Sequence, residues 1–428
     1  MALQILVKNR DFGFLWLAQL ISFIGDGMFQ TALVWWLIQK TGSGTMVGLI
    51  MSVSFLPAVL IGPFAGTMAD RVSPKLLLVG ADLFRAVLVI IFAYLVHHDY
   101  LEIPYIFVFS CLLSTAGVFH SPTTLTVIPR VVPTGNLDEA MALHTIVRDI
   151  SKLIGPALGG AIIAKVSSAA AFASHGLCLI LSAGLVLLMK ISEGQLVEHK
   201  ESVMRQLLDG LKYVKNQRTL FEMLIGFGAL NVFVVPIIVL VPMTIEKVFH
   251  LTSFEFGISE GALALGSVLT GLFFMKLFGG VQKSKLLVRV MGFSGLIFFW
   301  FALIPKIQYK LFPIIGNVEY SFFDVKYSLF FLLFLGGLLL LGGCFTAVNV
   351  AVLTLFQRKV APEMKGRFFS LVEVLSYALF PVALAAAGVL SDNIGVPKCY
   401  AICAAGIFFL SIRYSMIPGL ETLDSEGK

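Results

Sequence analysis

Asp26 has the most chemistry to offer of any residue in this sequence. It sits in Phe23-Ile-Gly-Asp-Gly-Met28, about halfway along an otherwise apolar run. A charge at the centre of a membrane-spanning helix costs about 2.5–3.5 kcal/mol on insertion scales, so an ionisable group there is read as functional by default. Set between Gly25 and Gly27 and facing a watery cavity, this carboxylate would take up and release a proton. The alternative is a structural hydrogen bond between helices. Glu260 is a candidate second titrating group, and the neutral Asn231 falls roughly where a counterpart of Asp26 would lie. Asp82 and Arg85 are three residues apart, hence on one helical face, and are expected to pair with each other or with a neighbouring loop. Arg148, Asp149 and Lys152 form a charged cluster. Arg148 and Glu373 are opposite in charge and stand 225 residues apart, a spacing that recurs below. They are expected to line a substrate cavity or to meet each other.

Little else could do chemistry. His97 and His98 are adjacent, while His120, His144 and His175 are scattered without the spacing of metal ligands. No Gly-Lys-Ser/Thr phosphate loop is present. Cys399 and Cys403 lie one helical turn apart and could ligate together, but all five cysteines fall in apolar stretches and read better as small buried hydrophobes. No enzyme activity, metal or cofactor is predicted.

The elements that must position these residues follow from composition. The chain has 428 residues, 58% hydrophobic and only 13% charged, with mean hydropathy +0.93. About a quarter of a soluble domain is charged, so this chain cannot cover a water-facing surface. In lipid every backbone polar group needs an internal partner, which leaves helices or closed barrels. The apolar runs reach about 20 residues without period-two alternation, the length of a spanning helix. Twelve spans are predicted, at 12–38, 46–69, 76–96, 104–127, 139–164, 168–189, 220–243, 256–278, 286–304, 327–352, 367–391 and 397–417. No cleavable leader is visible before the first. The polar connection divides the chain into an N-terminal six-helix half (1–189), a central loop (190–219), a C-terminal six-helix half (220–417) and a tail (418–428).

Lys and Arg set the orientation. With the N-terminus cytoplasmic, seven of the 31 (Lys40, Lys165, Lys247, Lys306, Lys310, Lys326 and Lys398) face outward. Three (Arg85, Arg148, Lys152) lie within spans, and the other 21 face the cytoplasm. Both termini are therefore expected inside. The net charge of +6 is spent on topology and anionic lipid headgroups, so no nucleic-acid partner is predicted. The halves also repeat: Ser151 to Gly160 (SKLIGPALGG) aligns with Ser376 to Ala385 (SYALFPVALA) at the 225-residue offset, and Arg130-Val-Val-Pro133 parallels Lys359-Val-Ala-Pro362. Both segments run from a cytoplasmic loop into a span, which makes this a parallel repeat.

Two stretches carry more specific patterns. After the second span, Gly62 and Gly66 would let helices approach closely. Asp70, Arg71 and Lys75 follow at a helix junction, where a carboxylate can meet a helix N-terminus. In the fifth span, Ser151, Gly155, Pro156, Gly159 and Gly160 combine a missing backbone donor with positions for tight packing.

Together with the parallel repeat, these stretches resemble the major facilitator superfamily, an all-α membrane fold of twelve helices in two six-helix halves. Gly62, Gly66, Asp70, Arg71 and Lys75 match its signature between spans two and three, and Asp82 and Arg85 stand beside it. By resemblance this region is a latch on the outward-open state. Ser151 to Gly160 resembles the antiporter signature of its exporters, with serine replacing the first glycine. Lys40-Thr-Gly-Ser43, Phe119-His-Ser-Pro122, Pro362 to Ser370 and Asp392-Asn-Ile-Gly395 resemble the macrolide-efflux and siderophore-exporter subgroup. The resemblance implies a monomeric, multi-pass protein of the bacterial inner membrane. It would export small amphipathic organic molecules in exchange for protons, embedded among membrane lipids. A lysophospholipid or lipid transporter and a non-transporting membrane scaffold are the alternative functions.

Overall fold

A computed structural model describes residues 5–6, 9–69, 72–191, 203–315, 319–322, 325–421. Its helices, in chain order, are α1 (Arg10–Thr41), α2 (Gly44–Ala69), α3 (Pro74–His97), α4 (Ile103–Val118), α5 (His120–Val131), α6 (Leu137–Lys165), α7 (Ser168–Leu187) and α8 (Val203–Lys215). There follow α9 (Arg218–Val234), α10 (Ile237–Lys247), α11 (Ser253–Phe278), α12 (Lys283–Ile315), α13 (Leu329–Lys359), α14 (Lys365–Ala378), α15 (Phe380–Ile394) and α16 (Val396–Ser415). An antiparallel hairpin of β1 (Glu319–Phe322) and β2 (Val325–Ser328) interrupts them, with Tyr320 opposite Tyr327. The sequence pattern held no sign of it.

The helix ends have local causes. Proline, which lacks the backbone donor that a first turn cannot use, stands at or next to the first residue of α3, α4, α15 and α16. Ser167 caps α7 by accepting the Ala170 N–H at 3.1 Å, and Ser328 caps α13 by accepting that of Phe331 at 3.3 Å. Gly42 (φ 61°) turns α1 into α2, and Gly395 (φ 88°) turns α15 into α16, both in the left-handed region that glycine enters freely.

Eleven stretches among the described residues are long and apolar enough to cross a membrane. Three of them, Ile103–Val131, Arg218–Lys247 and Pro362–Ile394, contain a break, at Phe119, Val235–Pro236 and Leu379. Pro122, Pro236 and Pro381 stand at or just after these breaks, where each removes one rung of the helix ladder. The predicted span at 139–164 is present as α6, 29 residues long. It falls short only on apolarity, because it carries Asp138, Glu139, Arg148, Asp149, Lys152 and Lys165.

Apolar side chains also face outward in ordered stripes. Along α3, Leu83, Val87, Ile90 and Tyr94 are all exposed at three- to four-residue spacing, while Leu78, Ala86, Val89 and Phe92 on the other face are buried. A water-soluble surface does not carry such a stripe; lipid-facing helices do. The chain is a multi-pass membrane protein.

Contacts divide the chain into two compact units, and no single cut in the sequence separates them. The first comprises Met1–Lys40, Ile50–Val203 and Thr252–Gly261, the second Thr41–Leu49, Met204–Leu251 and Ala262–Lys428. In the first, α3 packs along α7; in the second, α12 packs along α16.

Candidate functional site

In the first unit, α1 is gripped on two sides where it carries Asp26. A Cβ on Gly25 would lie 2.8 Å from His175 Cδ2 and 2.9 Å from Cys178 Cβ, both on α7. A Cβ on Gly27 would lie 3.0 Å from Gly155 Cα and 3.0 Å from Pro156 Cδ, both on α6. One turn on, a Cβ on Gly159 would sit 2.9 Å from Met28 Cα. The glycines beside Asp26 therefore serve close helix packing, where the sequence suggested a watery flank. They press α6 and α7 against α1 and fix the carboxylate between them.

Asp26 Oδ1 accepts a hydrogen bond from Arg85 Nη2 on α3, and His175 Nε2 lies 3.1 Å from the same oxygen. Asp82, one turn before Arg85, is 3.8 Å from Arg85 Nη1 and 3.8 Å from His120 Nε2 on α5. Its other oxygen accepts a hydrogen bond from Ser182 Oγ on α7 at 2.7 Å. Side-chain exposure grades across the cluster: Asp82 0%, His175 2%, Arg85 and His120 10%, and Asp26 35%. The Asp26 carboxyl is thus the cluster's opening. Further along α1, Gln19 Oε1 accepts a hydrogen bond from His144 Nδ1 at 2.8 Å, and the Phe23 ring lies against His120 and His144. Five helices contribute to one polar core inside an apolar unit. In that low-dielectric setting a paired charge is strongly held and an unpaired one is costly.

Several expectations change. Arg85 lies beside Asp82 at 3.8 Å, one of the two expected pairings, and its side chain also reaches across to Asp26 on α1. Asp70 and Arg71 lie outside the described residues, and of Gly66 only its place in α2 is described. A Cβ on Gly62 would meet no described atom within 4 Å, so no close helix contact explains that glycine. Lys75 donates to the carbonyls of Leu187 at 2.7 Å and Met189 at 2.8 Å, a cation closing the C-terminus of α7. Trp35 is buried and stacks on Phe256 at 6.0 Å. Trp16 donates to the Leu143 carbonyl at 3.3 Å.

The fifth-span motif is a packing surface along its length. Ser151 is buried and faces the Leu20 carbonyl at 3.5 Å. Beyond the Gly155 and Gly159 contacts, a Cβ on Gly160 would lie 3.1 Å from Gly257 Cα at the start of α11. Glu260, three residues later, is half-buried and has no hydrogen-bond or ion-pair partner among the described residues. Arg148 is exposed and pairs with Asp149 at 3.8 Å. Asn231 on α9 is half-buried, and Glu373 on α14 is exposed.

Sequence reading missed three residues. His175 and His120 looked scattered because partners on α1 and α3 cannot be seen in linear spacing. The third is Asp392, near the end of α15 in the second unit. Its Oδ2 accepts from Ser43 Oγ at 2.6 Å and from Thr45 N and Oγ1, both at 2.8 Å; its Oδ1 accepts from Gly44 N at 2.9 Å. Lys247 Nζ stands 3.7 Å away. A carboxylate across the first turn of α2 satisfies orphan backbone donors and meets the positive end of the helix dipole. Below it, a Cβ on Gly388 would lie 3.0 Å from Thr45 Cα. The available signal was that Ser43 and Asp392 both stand in stretches resembling the same subgroup.

Comparison with known proteins agrees with this architecture. A family model described as Transmembrane secretion effector matches residues 6–427. Macrolide efflux protein A of Streptococcus pyogenes is 26% identical over 417 residues, covering 96% of this chain and 96% of that protein. The staphyloferrin A transporter of Staphylococcus aureus is 22% identical over 261 residues, 59% of this chain and 64% of that one. Among solved structures, the nucleoside transporter NupG shares the fold with TM-score 0.70 at 14% identity, over 95% of this chain and 99% of that chain.

Proposed function

The chain belongs to the Transmembrane secretion effector family, and on that premise we propose that it exports amphipathic organic molecules, macrolide-like drugs or siderophores, in exchange for protons. The observation that carries the proposal is the buried cluster of Asp26, Arg85, Asp82 and His175. A membrane protein that only needed to fold would fill this space with apolar side chains, since replacing a buried ion pair by well-packed hydrophobes is often neutral or stabilising. Charge kept at the centre of a unit, with one carboxyl open, is suited to binding and releasing an ion. The export direction and the substrate class are supported by relatives whose names are macrolide efflux protein A and staphyloferrin A transporter.

The exporter works by alternating access in the bacterial inner membrane, as a monomer with both termini cytoplasmic. Helix α6 is its twelfth span, its charged first half lying toward the cytoplasm. Two glycine crossings act as its releasable seals: Gly160 against Gly257, and Thr45 against Gly388 under the Asp392 clamp. Backbones in direct contact part without dragging large side chains through a core, which suits a joint that must open and close. Asp70, Arg71 and Lys75 form the cytoplasmic latch, and Glu260, with no described partner, is a second proton site. Arg148, Asn231 and Glu373 face the substrate route.

Accumulation of labelled erythromycin and labelled lysophospholipid in cells lacking their own pumps tests the reading. The expected result is lower macrolide accumulation with the wild-type protein, reversed by an uncoupler and by Asp26→Asn. Macrolide export that ignores both treatments would remove the proton from the proposal. Movement of lysophospholipid alone would replace the substrate.

A further inference from the structure

The Asp26 cluster is one proton short of neutrality. It contains two carboxylates, Asp26 and Asp82, and one guanidinium, Arg85; His120 and His175 are the remaining basic groups, and the Cys178 thiol faces the same point from α7. With both imidazoles neutral the net charge is −1. A single bound proton makes it zero, in a place where an uncompensated charge is expensive.

Geometry decides which atom takes that proton. Asp82 Oδ2 is already held by Ser182, and Oδ1 is buried 3.8 Å from both Arg85 and His120, which are donors, so a proton on it would find no acceptor for its O–H. Asp26 Oδ1 is the acceptor for Arg85, and a proton on that carboxyl would weaken the bond holding the buried guanidinium. His175 is different. Its Nε2 stands 3.1 Å from Asp26 Oδ1, an ion-pair contact, and neither Nε2 nor Nδ1 makes a hydrogen bond among the described residues. Its ring is wedged between Phe29, 5.2 Å away, and the Gly25 backbone, so it cannot swing away from Asp26.

We propose that His175 is the residue on which this protein carries its exchanged proton, with Asp26 remaining ionised between Arg85 and the imidazolium. This rests on the proton-exchange reading above and replaces Asp26 as the carrier. A ring-nitrogen lone pair takes a proton from water on one side of the membrane, forming one N–H bond and bringing the cluster from −1 to zero. Release to the other side breaks that bond and restores −1, with no electron transfer. Asp26 is the positioning residue: it orients the imidazole, stabilises its charged form and, as the exposed member, connects it to water.

Infrared difference spectra of the purified protein between about pH 5 and pH 9, where imidazoles titrate, read the protonated group directly. The expected wild-type spectrum shows an imidazole change without a carboxylic C=O band from Asp26. Subtracted from the wild-type spectrum, His175→Gln lacks one imidazole's change, which His120→Gln keeps. A carboxylic band that disappears in Asp26→Asn would overturn the proposal, as would an imidazole change that survives His175→Gln and vanishes in His120→Gln. Six other histidines, the exposed His97 and His98 among them, contribute to the wild-type spectrum, so the group is assigned by difference against His175→Gln and, where that variant does not fold, against His175→Asn. In proteoliposomes, His175→Gln should keep erythromycin counterflow but lose pH-driven accumulation by about tenfold or more. If wild-type accumulation ignores the pH gradient while the His175 signal is present, the exchange reading fails and the proton site stands.

Discussion

The two units solve the same packing problem with opposite chemistry. In the first, α3 and α7 hold Arg85 and His175 against Asp26 of α1. In the second, α12 and α16 pack in the same way, but Phe298 and Phe301 lie against Tyr400, with ring centroids 6.0 and 5.4 Å apart. Tyr400 stands at the 225-residue repeat offset from His175, and its hydroxyl donates to Thr244 Oγ1 at 3.1 Å. All three aromatic residues are buried. At this level the second helix pair therefore holds without a buried ion pair, within the same molecule. The contrast between the two helix pairs is what the proposed role of the first unit's charges must account for.

Breaking that contrast should give unequal results. Asp26→Asn should lower gradient-driven macrolide export on the order of 100-fold and also destabilise the protein by about 3–5 kcal/mol, because Arg85 loses its hydrogen-bonded anion and keeps only Asp82, 3.8 Å away. Adding Arg85→Gln should recover most of the stability, seen in thermal unfolding, and none of the export. Phe301→Ala should cost a similar amount, about 3–5 kcal/mol, yet leave export per folded molecule unchanged. Asp392→Asn removes a charged acceptor from the first turn of α2 and should lower stability by about 1–2 kcal/mol in the same unfolding measurement. Tyr400→Phe loses one buried hydrogen bond and should cost about 1 kcal/mol, with the pH profile of export unmoved. Gly62→Ala should be the mildest, neutral or stabilising by a few tenths of a kcal/mol, since no described atom stands near the new methyl group.

Legibility in the sequence followed the range of the physics. Apolar runs are local, so most spans could be placed from composition, and the window at 139–164, though it carries charges, corresponds to the helix α6. Pro236 and Pro381 were visible, yet the breaks they accompany depend on how each freed carbonyl is satisfied. Asp26 stood out because a charge in lipid is costly wherever its partner lies. Its partners did not: Arg85 is 59 residues away in sequence, and His175, on α7, is farther still. The same distance hid Asp392, whose contacts with Ser43 span 349 residues. The Gly-Asp-Gly pattern was read as an opening to water, whereas each glycine in fact receives a helix, because a missing side chain marks close approach as readily as a cavity.

The central claim is that this charged centre couples substrate export to proton movement, and lumenal pH in dye-loaded proteoliposomes tests it most directly. Erythromycin driven through the wild-type protein should move protons in the opposite direction, and Asp26→Asn should abolish both fluxes at matched protein content. Macrolide transport with no accompanying pH change, or an Asp26→Asn protein that couples as well as wild type, would contradict the account.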